Sequence, residues 1–314
     1  MKVNLQNLGR IREAEIDVRP LTVFVGPNST NKSWAAYACF PAWPPDNVDA
    51  ADMLAKDLAT PELVTAQRCD ALPVERQFLF SAPRIADVLA DDLPLPAQNF
   101  IEWTSLARTR PTPPPGVGAP ELARLLQHGV FKGRIESPID GPMRFSTGEA
   151  SVPVQAAASM VRSLAPLSMW LERIGSPGDT LVIDEPEMNA HPGAQLALAE
   201  LFALMVNHGF RLILTTHSPY LVEHLSTLME GYSRPPANKE KLAGSFLLQR
   251  ADAFIDPEKV SVYEFREKPG APEVEVVDIL DREQALIDTT TFAAWTNRMG
   301  DLLDEVLSTE EGGS

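Results

Sequence analysis

In LTVFVGPNSTNKSWAAY, residues 21–37, an apolar run stops at Gly26 and a short polar loop leads to Lys32 and Ser33. Such a loop can cradle phosphate. Gly26 lets the backbone leave a strand sharply, the backbone of Pro27, Asn28, Ser29, Thr30 and Asn31 wraps the anion, Lys32 extends to the outer phosphates, and Ser33 can offer its hydroxyl to Mg²⁺. The full pattern is G-x-x-x-x-G-K-[ST], and Asn31 stands where its second glycine belongs. Asparagine tolerates positive φ better than most residues, so the turn survives at modest cost. Asn31→Gly is therefore expected to leave nucleotide affinity equal or better. A large loss would mark the asparagine side chain as a ligand or a lock.

Two further stretches carry the remaining chemistry. LVIDEPE, residues 181–187, ends an apolar strand with adjacent acids. Asp184 suits the shell of Mg²⁺, which leaves Glu185 free as a base that polarises an attacking water. RLILTTHSPYLVEHL, residues 211–225, delivers His217 from a second apolar strand, placed to contact a γ-phosphate or orient that water. The competing readings are a solvated acidic turn and a structural histidine, and His128, His208 and His224 are read in the latter way. His217 differs because its strand follows the helix after LVIDEPE.

These residues act together only if one scaffold brings them to one edge. VNLQNL, a turn at Gly9-Arg10 and EAEIDV read as a hairpin that feeds the buried strand Leu21–Val25. A helix over Lys32–Phe40 stops at Pro41, SMVRSLAPLSMWLERIG reads as a helix bent near Pro166, and QLALAELFALMVNHG as one stopped by Gly209. SVYEF at 261–265 and VEVVDI at 274–279 add strands, and TFAAWTNRMGDLLDEVL is a final amphipathic helix. Strands alternating with helices predict an α/β fold with a mostly parallel sheet, N-terminal antiparallel strands and helices on its faces. Ligands of such sheets bind at the carboxyl ends of the strands. Residues 41–140 have another texture, with helical patterns such as AADMLAKDLA and ELARLLQHGV between proline-rich spacers, densest in RPTPPPGVGAP at 110–120. They read as a helical, proline-rich insertion within a single domain spanning 1–314.

Composition narrows the class. The chain has 314 residues, 44% hydrophobic and 22% charged, which is ordinary for a folded soluble protein. A net charge of −16 argues against gripping duplex DNA alone, and Arg108 and Arg110 read as solvated loop charges. The two cysteines, Cys39 and Cys69, suit neither a disulfide framework nor a metal site. No apolar run is long enough to span a bilayer, and MKVNLQNLGRIREAEID lacks the apolar core of a secretory signal. A cytoplasmic setting without membrane contact is expected.

At the loop, LVIDEPE and TTHSP the sequence resembles the ABC-type ATPase superfamily, and more narrowly the head domains of RecF, SMC and OLD (overcoming lysogenization defect) ATPases. EPEMNAHPGAQ is similar to the E-P-E-x-x-L-H-P stretch of OLD-like proteins, with Ala190 replacing the leucine. The resemblance implies a P-loop NTPase fold with ATP and Mg²⁺ as cofactors. Gly26 through Ser33 would form the Walker A loop, with Lys32 and Ser33 on the phosphates and metal. Asp184 of the Walker B strand would support the metal, Glu185 would be the catalytic base and His217 the switch histidine. The resemblance also implies a homodimer or higher homo-oligomer closed around nucleotide, with Asn189 and His191 near the interface. Ser159 is then the expected signature serine that contacts the partner's ATP, with Ser151 as second choice. Neither is followed by the family's glycine, and helix capping competes as a reading of Ser159. Gln67 or Gln77 stands for the coupling-loop glutamine. The long heptad arm of SMC proteins is missing. For the Toprim nuclease of OLD proteins, DILD at 278–281 is the nearest match and falls short of a glutamate plus D-x-D set. The implied role is the motor or switch of an antiviral defence or DNA-maintenance complex, with a separate nuclease or toxin effector and nucleic acid contacted through the complex. The alternative is a nucleotide-binding scaffold with little hydrolysis that restrains such a partner. A transporter subunit fits poorly, since L-S-G-G-Q is absent.

Overall fold

A computed structural model describes residues 1–39, 69–81, 93–109, 118–136, 142–268 and 270–310. The alternating N-terminal stretch forms β1 (Lys2–Leu8) and β2 (Ile11–Asp17), paired antiparallel, with Val3, Leu5 and Leu8 buried. Next come β3 (Leu21–Val25), α1 (Lys32–Ala38), β4 (Cys69–Leu72), α2 (Arg76–Ser81), α3 (Leu95–Thr109) and α4 (Pro120–Leu125), which runs into a π-helical turn over Leu126–Phe131. A small antiparallel sheet of β5 (Arg134–Glu136), β6 (Arg144–Thr147) and β7 (Ala150–Pro153) leads to α5 (Ser159–Arg173), which contains Pro166. The second half alternates β8 (Thr180–Asp184), α6 (Pro192–Asn207), β9 (Arg211–Thr216), α7 (Pro219–Tyr232) and α8 (Pro236–Ala243). Then β10 (Val260–Glu267) and β11 (Val274–Asp278) precede the final helix, α9 (Thr290–Glu310).

Eight strands make the main sheet, in the order β1-β2-β11-β10-β3-β9-β8-β4. From β10 to β4 every neighbouring pair is parallel, whereas β1–β2 and β10–β11 are antiparallel. This is the α/β architecture expected: a mostly parallel sheet with antiparallel N-terminal strands. The strand period of two distributes β3 between two cores. Leu21, Val23 and Val25 join the larger core with α5, α6 and α7, while Phe24 packs with α1 and the β1–β2 hairpin on the other face. Burying each such large side chain contributes about 2 kcal/mol.

The stretch read as an insertion is partly woven into the scaffold. Cys69–Leu72 is the edge strand of the main sheet, paired with β8. Phe100 and Trp103 of α3 are fully buried, and the Trp103 indole donates to the Ala71 carbonyl at 3.1 Å. CDAL offers no alternation and no length, so its strand character comes from pairing with TLVID and not from local preference. AADMLAKDLA and most of RPTPPPGVGAP lie outside the described residues. Among the described residues no helix is long and apolar enough to cross a membrane.

Candidate functional site

The loop after β3 is built as its composition requires. Gly26 has φ 137°, and a Cβ there would lie 2.5 Å from the Phe265 carbonyl oxygen, so a side chain is barred by both conformation and space. The loop is drawn tight around Pro27, whose carbonyl accepts from the Thr30 hydroxyl at 2.8 Å and the Lys32 ammonium at 2.7 Å. Asn31 adopts the left-handed conformation, φ 64° and ψ 21°, immediately before α1. Its Oδ1 accepts from the Arg10 N–H at 3.1 Å, which ties the loop to the β1–β2 turn. A Cβ on Gly9 would come within 2.5 Å of the Asn31 amide nitrogen, so turn and asparagine fit against each other. Arg10 adds a second tie, its guanidinium donating to the Ser29 carbonyl at 3.2 Å and to Glu267 at 2.8 Å. The asparagine that breaks the sequence pattern thus sets the loop's conformation and ties it to the β1–β2 turn.

Parallel pairing of β3, β9 and β8 then sets the other groups beside the loop. Asp184, buried at the end of β8, accepts from the Ser33 hydroxyl at 2.8 Å and from the Thr215 hydroxyl. Burial pushes its carboxyl up from the usual range, and those two hydroxyls pull it back. Glu185 has φ 48°, a conformation that costs a non-glycine residue energy, and its N–H is held by both the carbonyl and the hydroxyl of Thr215, each at 3.1 Å. Its half-buried carboxylate lies 3.6 Å from the His217 Nε2. The imidazole foremost, with the Lys32 and Arg76 cations, holds the Glu185 carboxyl below its ordinary value. Burial brings the Lys32 ammonium down to about 8, against the support of Glu185, Asp184 and Glu187.

Two residues of this cluster carried no role in the sequence. Glu187 accepts the His217 backbone N–H at 2.7 Å through Oε1, while its Oε2 is buried without a hydrogen-bond partner, and burial pushes this carboxyl up. Arg76 is fully buried on α2. Its guanidinium donates to the carbonyls of Pro73 at 2.9 Å, Asp184 at 2.5 Å, Glu185 at 2.8 Å and Ser163 at 3.1 Å. It thereby fastens the strained turn at Glu185 to α5. A lone arginine in a stretch of insertion-like texture gave no signal, whereas Glu187 and Thr215 lie inside the two motif stretches.

The structure thus brings Lys32, Ser33, Asp184, Glu185 and His217 into one cluster. Ser159 is placed elsewhere, as the first residue of α5, where its hydroxyl accepts from Arg162 at 3.2 Å. Ser151 sits on β7 and bonds Arg144 and Ser146. Gln77 accepts a long 3.5 Å contact from Asn189, and Gln67 lies outside the described residues. His191 caps α6, accepting from the Gly193 N–H at 3.3 Å. The Ser33 hydroxyl and Asp184 carboxylate form a hard oxygen pair of the kind Mg²⁺ takes, and the buried Glu187 Oε2, which has no hydrogen-bond partner, is a further oxygen in the same region.

Residues 135–223, which carry the acid pair and His217, match a family model described as "AAA domain, putative AbiEii toxin, Type IV TA system". The resemblance to ABC-type ATPase heads holds. Sheet order and the strand–loop–helix unit at Gly26–Ser33 are those of an α/β P-loop fold, and the family match covers the stretch that carries the acid pair. Among curated proteins, none matches the chain significantly. Similar solved structures include the SMC head bound to the C-winged helix domain of ScpA, at 12% identity and TM-score 0.47, covering 91% of this chain and 99% of that one. The SMC head domain from Thermotoga maritima aligns at 12% identity and TM-score 0.42, over 89% and 98% of the two chains. The SMC head with an extended coiled coil bound to the C-terminal domain of ScpA, from Pyrococcus furiosus, aligns at 10% identity and TM-score 0.45, over 97% and 98%. At these TM-scores the likeness adds nothing to what the sheet and loop show.

Proposed function

We propose that this chain binds ATP with Mg²⁺ at the Gly26–Ser33 loop, hydrolyses it, and works as a homodimer or higher homo-oligomer. One observation carries the reading: Lys32, Ser33, Asp184, Glu185 and His217 stand together at the carboxyl ends of adjacent parallel strands. In this reading Ser33 and Asp184 hold the metal, which when bound neutralises charge on the phosphates. Lys32, cationic near neutral pH, moves its donation from Pro27 to an outer phosphate oxygen. Glu185 is kept ionised by His217, Lys32 and Arg76 and half open to solvent, so it can take a proton from water, while His217 orients the same carboxylate. Residues 1–314 act as one ATPase domain, and Ser159, at the start of α5, is the group offered to a second copy's nucleotide.

The matched family's description names a putative toxin of a type IV TA system; a defence setting with a separate toxin or nuclease effector is our own reading. Wild-type protein is expected to turn over ATP, and Glu185→Gln to lose about 100-fold or more of that rate while still binding nucleotide. Equal turnover in both would remove Glu185 from its role. The scaffold alternative has one observation on its side: the Ser159 hydroxyl is engaged by Arg162 and no glycine follows it. Absence of turnover in wild type, with nucleotide bound, would favour that scaffold.

A further inference from the structure

Far from the loop in sequence, four arginines of this acidic chain line one cavity. A half-open cavity of about 780 Å³ lies among α4, the π-helical turn, the β5–β6 hairpin and the end of α5, and Arg124, Arg134, Arg144 and Arg173 line it. Among the described residues, the lining holds two acids, Glu136 and Glu172, and no lysine. In a protein of net charge −16 such an excess of cations around a concavity is the opposite of the general surface.

Ordinary structural reasons account for part of it. Arg173 sits in the last turn of α5, where a cation is favoured by the helix dipole, whereas Arg124 lies where α4 continues into the π-helical turn and has no such reason. Arg173 also donates to the Ala107 carbonyl at 3.1 Å, and Arg144 is held by Ser151 at 2.9 and 2.7 Å. Arg134 has neither reason. It lies exposed on β5, and among the described residues neither its guanidinium nor that of Arg124 makes a hydrogen bond or a salt bridge. Glu172, the acid central to the group, feels Arg173, Arg134 and Arg124, yet burial dominates and pushes its carboxyl up. Its Oε1 is already engaged by the Gln127 amide at 2.7 Å. The cavity floor is therefore set by a buried Gln127 that also bonds Ser168 at 2.8 Å and accepts the Ile135 N–H at 3.1 Å. Gln127 and His128 are presented by a π-helical turn, a backbone form that recurs at functional sites.

We infer that this cavity binds a small ligand carrying two or more phosphate groups. Planar guanidinium forks match phosphate oxygens pairwise, which explains arginine at every cationic position. The volume lies within the range of small-molecule sites, and the concave form with a strongly acidic remainder disfavours a nucleic-acid duplex as occupant. The site shares no residue with the Lys32 loop, so it stands or falls apart from the ATPase reading.

The test uses inorganic pyrophosphate as probe and titration calorimetry of the full chain carrying Lys32→Ala, which removes the loop's main phosphate contact. Saturable binding of about one equivalent is expected, weakened about tenfold or more when Arg124→Gln and Arg134→Gln are added, since a lost arginine–phosphate pair is worth about 1.4 kcal/mol. Both arginines are exposed, so thermal unfolding of the variant should match its parent and exclude misfolding. Absent or non-saturating binding, or binding unchanged by the two substitutions, overturns the inference. A short single-stranded oligonucleotide that displaces pyrophosphate at much lower concentration, dependent on the same arginines, overturns it in favour of a nucleic-acid strand.

Discussion

Asn31 shows how one side chain can serve conformation and attachment at once. It takes the left-handed backbone that glycine normally supplies and uses its amide oxygen to hold the Arg10 N–H. Asn31→Gly keeps the first property and loses the second, leaving that N–H without its partner. We expect a stability loss of about 1 kcal/mol, read as a lower urea midpoint at unchanged slope, and weaker nucleotide binding because the loop is no longer tied to the β1–β2 turn. Unchanged stability and affinity would mean that the contact is incidental. Asn31→Ala should cost more, since alanine adds the strain of positive φ. The loop itself was legible from Gly26, Lys32 and Ser33, because spacing along the chain encodes it. The tie was not, because its partner comes from a separate turn that only tertiary packing brings near.

Between elements, Arg76 is the connection on which the acid turn depends. Four carbonyls from α5, the β4–α2 turn and the end of β8 converge on its guanidinium. Arg76→Met removes every one of these donors, and each orphaned buried acceptor costs about 1–3 kcal/mol. A loss of about 3 kcal/mol or more is expected in urea unfolding, with ATP turnover per folded molecule also reduced because Glu185 loses its anchor. Arg76→Lys should recover only a minor part, lacking the planar fork. A variant as stable and active as wild type would refute this role. Element packing also fixes the two thiols: Cys39 is buried and pushed up to about 12, and burial raises Cys69 well above its ordinary value. At pH 8 neither should react quickly with an alkylating reagent in the native protein, and both should react in denaturant. Fast native labelling of one would show that its element opens.

For the whole molecule, the parallel core of the sheet explains why distant stretches could be read together. Strands buried on both faces are written as apolar runs, so LTVFV, TLVID and RLILTT announced themselves. The edge strand CDAL did not, since it is short and defined by its neighbour. The cavity arginines were equally hidden: they are dispersed in sequence from 124 to 173 and meet only through the fold. If nucleotide closes two copies on one another, Glu185→Gln with ATP and Mg²⁺ should show twice the chain mass by light scattering, and Ser159→Arg should abolish that doubling. A constant monomer mass would argue for action without self-association. The most direct measurement is calorimetric titration of ATP with Mg²⁺ into Glu185→Gln protein, with and without Lys32→Ala. The account predicts one nucleotide per chain in the first and affinity weakened about 100-fold or more, close to 3 kcal/mol, in the second. Nucleotide bound equally by both proteins, or by neither, would contradict it.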